Sequence, residues 1–159
     1  MELTLRPIVK DNWEEAIQLK VKEEQRNFIA SNLYSIAEVQ FLDQFKVSAI
    51  YDGDQMVGFS MYGIDPDDQN YWIYRLMIDE AHQGKGFGTE AVTLIVNEIK
   101  SENTTGIPVI MIGYNQENDG ARATYTKAGF VETEIAPWGE QLAAYSLKRY
   151  PMKKRFIFS

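Results

Sequence analysis

Arg75-Leu-Met-Ile-Asp-Glu-Ala-His-Gln-Gly-Lys-Gly-Phe-Gly-Thr89 holds an abrupt change of pattern. The apolar run Tyr71 to Ile78 reads as a strand, and the polar Asp79 to His82 breaks it. Gln83-Gly84-Lys85-Gly86-Phe87-Gly88 then leads into a helical pattern reaching about Lys100. Strand, glycine-rich loop and helix N-terminus together make an anion cradle. Glycine lets the backbone adopt φ > 0 and approach a ligand closely, and the first free N–H groups of the helix point at it with the dipole behind them. The expected ligand carries phosphate. A P-loop would place Ser or Thr after Lys85, where Gly86 stands. A dinucleotide fingerprint would read Gly-x-Gly-x-x-Gly, whereas this loop reads Gly84-x-Gly86-x-Gly88 and lies mid-chain. Neither nucleotide motif fits.

At 159 residues the chain suits one domain, residues 1–159, with a core of its own. Hydrophobic content of 45% and aromatic content of 13% are those of a globular protein. There is no cysteine, which excludes disulfides, thiolate metal sites and a cysteine nucleophile. A lone histidine, His82, argues against a Ser-His-Asp triad or a multi-histidine centre, so no metal is expected. No signal-like or membrane-spanning run is present, and a cytoplasmic protein without membrane attachment is expected. The formal charge of −7 argues against nucleic acid as a partner. An acidic surface can attract a cationic substrate, although acidic solubility is the commoner reason for such a balance.

Outward from the central stretch, Met1 to Ile8 suits an edge strand containing Pro7. Asp11 with Glu14 is expected to cap a first helix, and Ser35 with Glu38 a second, the segment 22–34 between them having poor periodicity. Phe45 to Tyr51 and Met56 to Ile64 read as a hairpin around Asp52-Gly53-Asp54, with a polar turn at Asp65-Pro66-Asp67-Asp68 before the next strand. Tyr71 to Ile78 is expected to be central and buried on both faces. Beyond the loop, Phe87, Ala91, Leu94, Ile95 and Ile99 form a core-facing helical stripe. Pro108 to Ile112 reads as a strand, followed by a helix that carries Ala121, Tyr125 and Ala128 and stops at Gly129. Val131 to Ile135 and Gln141 to Leu147 are final strands around Pro137-Trp138-Gly139, and residues 150–159 form a tail. The order β-α-α-β-β-β-α-β-α-β-β describes a mixed α/β (α+β) domain.

Gln83-x-x-Gly86-x-Gly88 directly after a strand resembles the pyrophosphate loop of the GNAT superfamily of N-acyltransferases. Asn118-x-x-Ala121-x-x-x-Tyr125-x-Lys127-x-Gly129-Phe130 resembles that family's second signature. The resemblance implies a mostly antiparallel sheet of about seven strands flanked by about four helices, with strands 4 and 5 splayed to admit the pantetheine arm of acetyl-CoA. It implies that Gln83, Gly84, Lys85, Gly86, Phe87, Gly88 and Thr89 hold the pyrophosphate. Backbone N–H groups of Leu76, Met77 and Ile78 would polarise the thioester carbonyl, a donor arrangement that is usually a large catalytic term. Asn118, with Asn115 and Lys127 nearby, would meet the cofactor, and Tyr125 would be the general acid beside the sulfur. By their residue types alone, Lys85 also fits a solvated loop, Asn118 an ordinary N-cap, and Tyr125 the core face of its helix.

Polyamine acetyltransferases of this superfamily often place a glutamate in strand 4, nine positions before the residue matching Gln83; here that position is Tyr74, which leaves a water chain, Glu23, Glu24 or Glu38, or selection of a neutral amine, and the base stays unassigned. Glu24-Gln25-x-x-Phe28-Ile29-Ala30-Ser31-Asn32 and Ser35-x-Ala37-Glu38 resemble the bacterial spermine/spermidine acetyltransferases of the superfamily. Glu23, Glu24 and Glu38 beside Phe28, Tyr34, Trp72 and Tyr74 would hold a polycation by ion pairs and cation–π contacts. The same acidic segment also fits a solvated helix face. The acceptor is therefore expected to be a small-molecule amine, with a polyamine, another small amine, an aminoglycoside and a protein N-terminus as the classes in view. A CoA-binding module without turnover is the competing class. Homodimers are common in the resembling family, and one is compatible with this chain.

Overall fold

Seven strands form one mixed sheet in the order β1-β2-β3-β4-β5-β7-β6: β1 (Leu3–Pro7), β2 (Phe45–Asp52), β3 (Gln55–Ile64), β4 (Tyr71–Ile78), β5 (Val109–Tyr114), β6 (Val131–Ile135) and β7 (Gln141–Ser146). The computed structural model describes residues 2–148; the 150–159 tail of the sequence reading lies outside them. Among the described residues four α-helices accompany the sheet: α1 (Trp13–Gln18), α2 (Asn32–Val39), α3 (Phe87–Glu102) and α4 (Asp119–Lys127). Among the described residues no helix is long and apolar enough to cross a membrane. The element order is the one expected, and Tyr71–Ile78 has the bounds read from the sequence.

Neighbouring strands are antiparallel except β4 and β5, which run parallel and pair only at Tyr71–Ile110 and Trp72–Met111. Beyond those pairs the two strands separate. A second irregularity sits in the same strand. Met61 of β3 opposes Arg75 and Tyr62 opposes Ile73, so Tyr74 is an extra residue, a β-bulge. The bulge inverts the inside–outside alternation of β4. Tyr71 and Ile73 before it, and Leu76 and Ile78 after it, all pack on the side covered by α3, against residues such as Val92, Ile95, Phe87 and Ala91. Met77 faces the other side, with Ala16, Ala49 and Phe59 under α1. Without the extra residue Leu76 and Ile78 would leave the α3 core.

Three local expectations give way to tertiary contacts. The strand β4 is not buried on both faces: Trp72, Tyr74, Arg75 and Leu76 are half-buried, because the separation from β5 opens a cleft beside them. Helix α1 starts after Asn12, not at an Asp11 cap, and the Asn12 amide turns back to bond Val9 N–H and the Pro7 carbonyl. Helix α2 is capped by Ser31, whose Oγ accepts from the Tyr34 N–H at 3.1 Å. Ser35, expected as the cap, is buried inside the helix. The start is set one turn earlier because the buried Asn32 amide donates to the Ala16 carbonyl at 2.9 Å and pins the first turn to α1. The segment of poor periodicity holds a short 3₁₀ turn, Glu23–Phe28.

Candidate active site

The separation of β4 from β5 opens a cleft of about 820 Å³. Its walls come from β4, the loop after β4, the first turn of α3, α4, the 3₁₀ segment, the β3–β4 turn and the β6–β7 turn. From Ile73 onward β4 has no partner on its β5 side, so backbone groups pointing that way face the cleft.

At the C-terminal end of β4 the loop runs into α3 through Gly84 (φ 81°) and Gly86 (φ 83°, the N-cap). This left-handed backbone suits glycine, and a side chain added at either position would meet open space rather than protein. That open space lies in front of the free N–H groups of α3, so the loop fits a phosphate group. Phe87 anchors the cradle from below, buried among Leu3, Ile50 and Ala91. Gln83 ties it to the opposite wall: its amide donates to Gln25 Oε1 at 2.9 Å and to the Ile78 carbonyl at 3.0 Å, and Gln25 donates back at 3.2 Å.

Across the cleft stands α4, entered through Asn118, whose Oδ1 accepts the Ala121 N–H at 3.0 Å. Tyr125 is half-buried. Its ring lies parallel to Tyr114 with centroids 6.0 Å apart and meets Phe130 edge-on at 5.4 Å. Burial, with a smaller contribution from Tyr114, raises the Tyr125 phenol well above the ordinary tyrosine value, and the hydroxyl has no side-chain hydrogen bond among the described residues. It is a neutral phenol facing a cleft, placed to donate a hydrogen bond or a proton to a group bound there. Tyr114 differs: its hydroxyl donates to Glu132 at 2.6 Å, and Glu132 is held by Arg122 at 2.8 Å. Burial and that carboxylate push Tyr114 up to about 12.

Elsewhere the cleft carries the opposite chemistry. Five carboxylates line the cleft, those of Glu38, Asp65, Asp67, Asp68 and Glu140, against the single guanidinium of Arg75. Arg75 is neutralised by its ion pair with Glu38 and lies over the Tyr34 ring at 5.4 Å. Aromatic groups are set among the acids. The Trp72 indole donates to Asp68 at 2.9 Å, the Trp138 indole donates to Glu140 at 2.8 Å, and the Tyr74 hydroxyl donates to Asp65. Burial, then the Asp65 hydrogen bond, raises the Tyr74 phenol well above its ordinary value.

Of the residues expected to hold the cofactor, the cleft brings together Leu76, Met77, Ile78, Gln83, Gly84, Gly86, Phe87, Gly88, Thr89 and Asn118, with Tyr125 beside them. Lys85, Asn115 and Lys127 are exposed and do not line it; Asn115 instead closes its own turn by accepting the Glu117 N–H. On the acceptor side Phe28, Glu38, Trp72 and Tyr74 line the cleft. Glu23 and Glu24 do not, Glu23 pairing with Arg26 at 3.2 Å along the 3₁₀ turn. The sequence pattern presents Asp65, Asp67, Asp68 and Trp138 only as turn residues and does not mark Glu140 at all. Three aspartates directly before an aromatic strand were the available signal.

Comparison with known proteins agrees with this geometry. Residues 5–130 match the sequence profile of the Acetyltransferase (GNAT) family. The chain is 30% identical over 106 residues to a spermine/spermidine N(1)-acetyltransferase of Bacillus subtilis (strain 168), a match covering 62% of this chain and 69% of that protein. Among solved structures, the aminoglycoside acetyltransferase AAC(6')-Ib in complex with coenzyme A superposes with a TM-score of 0.74 at 14% identity, covering 99% of this chain and 100% of that one. A spermidine N-acetyltransferase from Vibrio cholerae in complex with CoA and spermine superposes with a TM-score of 0.68 at 17% identity, covering 90% and 93%.

Proposed function

The chain belongs to the Acetyltransferase (GNAT) family and is an acetyl-CoA-dependent N-acetyltransferase, and from that premise we propose that its acceptor is a primary amine of a polyamine such as spermine or spermidine. The observation that carries this reading is the contrast between the two ends of β4: an anion cradle after Ile78, and at its start the Asp65, Asp67 and Asp68 carboxylates set with Trp72 and Tyr74, while Glu38 and Glu140 add acid from other elements around the same cleft. A polyanionic cofactor and a polycationic acceptor are sorted by charge to opposite ends of one cleft. Their reacting groups meet between them, along the part of β4 that β5 leaves unpaired. The curated relative acts on polyamines by its name, which supports the same acceptor.

In this reading the N–H groups of Gly86 to Thr89 bind the pyrophosphate, with Gln83 shaping the loop. Free backbone donors of Leu76 to Ile78 bind the thioester oxygen, where charge develops. Asn118 orients the pantetheine arm. Tyr125 donates its proton to the departing sulfur. Phe28 and Glu38 border the acceptor, and the Asp67 and Asp68 carboxylates take its distal ammonium groups, roles the sequence reading had given to Glu23 and Glu24. Aminoglycosides are also polycationic amines and fit the same wall by charge. A free-thiol release assay with acetyl-CoA, comparing spermine, spermidine, putrescine, an aminoglycoside and a neutral amino alcohol, separates the two. Turnover confined to spermine and spermidine is expected; turnover confined to the aminoglycoside would discard the polyamine.

A further inference from the structure

An acceptor ammonium has to lose a proton before it can attack a thioester, and the Tyr74–Asp65 pair of the cleft is arranged for that step. Tyr74 is the bulged residue of β4, at the point where the strand turns from the acidic wall to the unpaired backbone donors. Its ring is clamped by Phe45, 4.2 Å between centroids, and by the edge of Trp72 at 6.4 Å. Its hydroxyl donates to Asp65 Oδ2, while Asp65 Oδ1 accepts the N–H groups of Asp67 at 2.7 Å and Asp68 at 3.4 Å. Asp65 is buried, with 9% of its surface exposed, and yet it is a cleft residue. A hydroxyl whose proton is already directed to a carboxylate has its lone pairs free to accept from a donor in the cleft. The other acids are otherwise engaged: Glu38 with Arg75, Glu140 with the Trp138 indole, and Asp68 with the Trp72 indole, leaving Asp67 exposed at the rim.

We propose that Tyr74, oriented and backed by Asp65, takes the proton of the acceptor ammonium. The inference rests on the acetyl-transfer reading of the cleft. The ammonium passes one proton to Tyr74 Oη as the Tyr74 proton moves to Asp65 Oδ2, and Asp65 later releases it to solvent. The freed nitrogen lone pair forms the bond to the acetyl carbon, and the carbon–sulfur bond breaks. Tyr125 gives its proton to the sulfur and is reprotonated, through water, by the second proton leaving nitrogen. The sum is one amide, one thiol and one released proton. Tyr74 is the catalytic residue here and Asp65 its positioning residue. The charged or titratable groups facing the pair are Glu38 of α2, Arg75 of β4, and Asp67 and Asp68 of the β3–β4 turn. Phe45 of β2 and Trp72 add no charge.

The test compares the full-length protein with Asp65→Asn, Tyr74→Phe and the double variant. Asparagine keeps an oxygen for the Asp67 and Asp68 N–H groups, and phenylalanine keeps the stack on Phe45, so CoA affinity by calorimetry is expected to be unchanged in all of them. Each single change is expected to lower kcat/KM for spermine about 10²-fold at neutral pH, the usual range for a general base. The double variant should fall no further than the worse single one, because both act on one proton path. In the variants, kcat/KM should keep climbing with pH where the unaltered protein levels off. With a weakly basic acceptor that is already neutral, such as trifluoroethylamine, the deficit should nearly vanish. A rise in spermine KM alone, with kcat and the pH profile unmoved, would overturn the proposal by making the pair a binding element. So would multiplying effects in the double variant, or lost CoA affinity in both single ones. Unaltered protein that acetylates neither amine would instead remove the acetyl-transfer reading beneath it.

Discussion

The Tyr125 and Tyr114 rings lie parallel, but their hydroxyls meet different surroundings, Tyr114 tied to Glu132 and Tyr125 to no side chain among the described residues. Tyr125 is raised by burial and keeps its proton at neutral pH with no carboxylate to receive it. Tyr125→Phe is expected to lower kcat about 10²-fold while calorimetry shows CoA affinity nearly unchanged. Equal losses in both would make Tyr125 a packing residue. Tyr114 is raised to about 12 by burial and by Glu132. A phenol whose pKa rises on folding contributes stability that is intact below its unfolded value, about 10, and is lost as pH climbs towards the folded one. The thermal unfolding midpoint should therefore fall more steeply between about pH 10 and 12 in the unaltered protein than in Tyr114→Phe. The sequence motif located Tyr125, but Tyr114 and its tie to Glu132 had no sequence signature, because the pair joins β5 to β6 across 18 residues.

Elements were legible where a local pattern decides them and obscure where a distant contact does. The strand–loop–helix from Tyr71 onward could be read because an apolar run, glycines and a helical stripe follow one another without interruption. The bulge at Tyr74 could not, since nothing in Tyr-Arg-Leu marks an extra residue; only pairing with Met61 and Tyr62 reveals it. The caps illustrate the same division. Ser35 and Glu38 have capping-box spacing, but the Asn32 bond to α1 moves the helix start to Ser31, and Glu38 goes to Arg75. Ser31→Ala should then cost about 1 kcal/mol, lowering the thermal midpoint by roughly 2–4 °C. An unchanged midpoint would show that the Ser31 cap contributes nothing to stability.

On the scale of the whole molecule, a net charge of −7 gains meaning from where the acids lie. Composition alone could not say whether 23 acidic side chains solubilise a surface or line a site. The fold gathers five of them around one cleft, three from a turn that the sequence presents only as polar. Replacing Asp67 and Asp68 with asparagine is expected to raise the KM for spermine about tenfold, in line with the loss of one or two charge-assisted contacts, and to leave the KM for acetyl-CoA unchanged. Added salt should raise the spermine KM of the unaltered protein and have less effect on the doubly substituted one. A spermine KM insensitive to both changes would return these aspartates to plain surface. The account rests most directly on the product itself. Mass spectrometry of spermine incubated with acetyl-CoA and the protein should show acetylated spermine formed together with free CoA. Unmodified spermine, in the presence of protein shown to bind acetyl-CoA, would contradict the assignment of this cleft to polyamine acetylation.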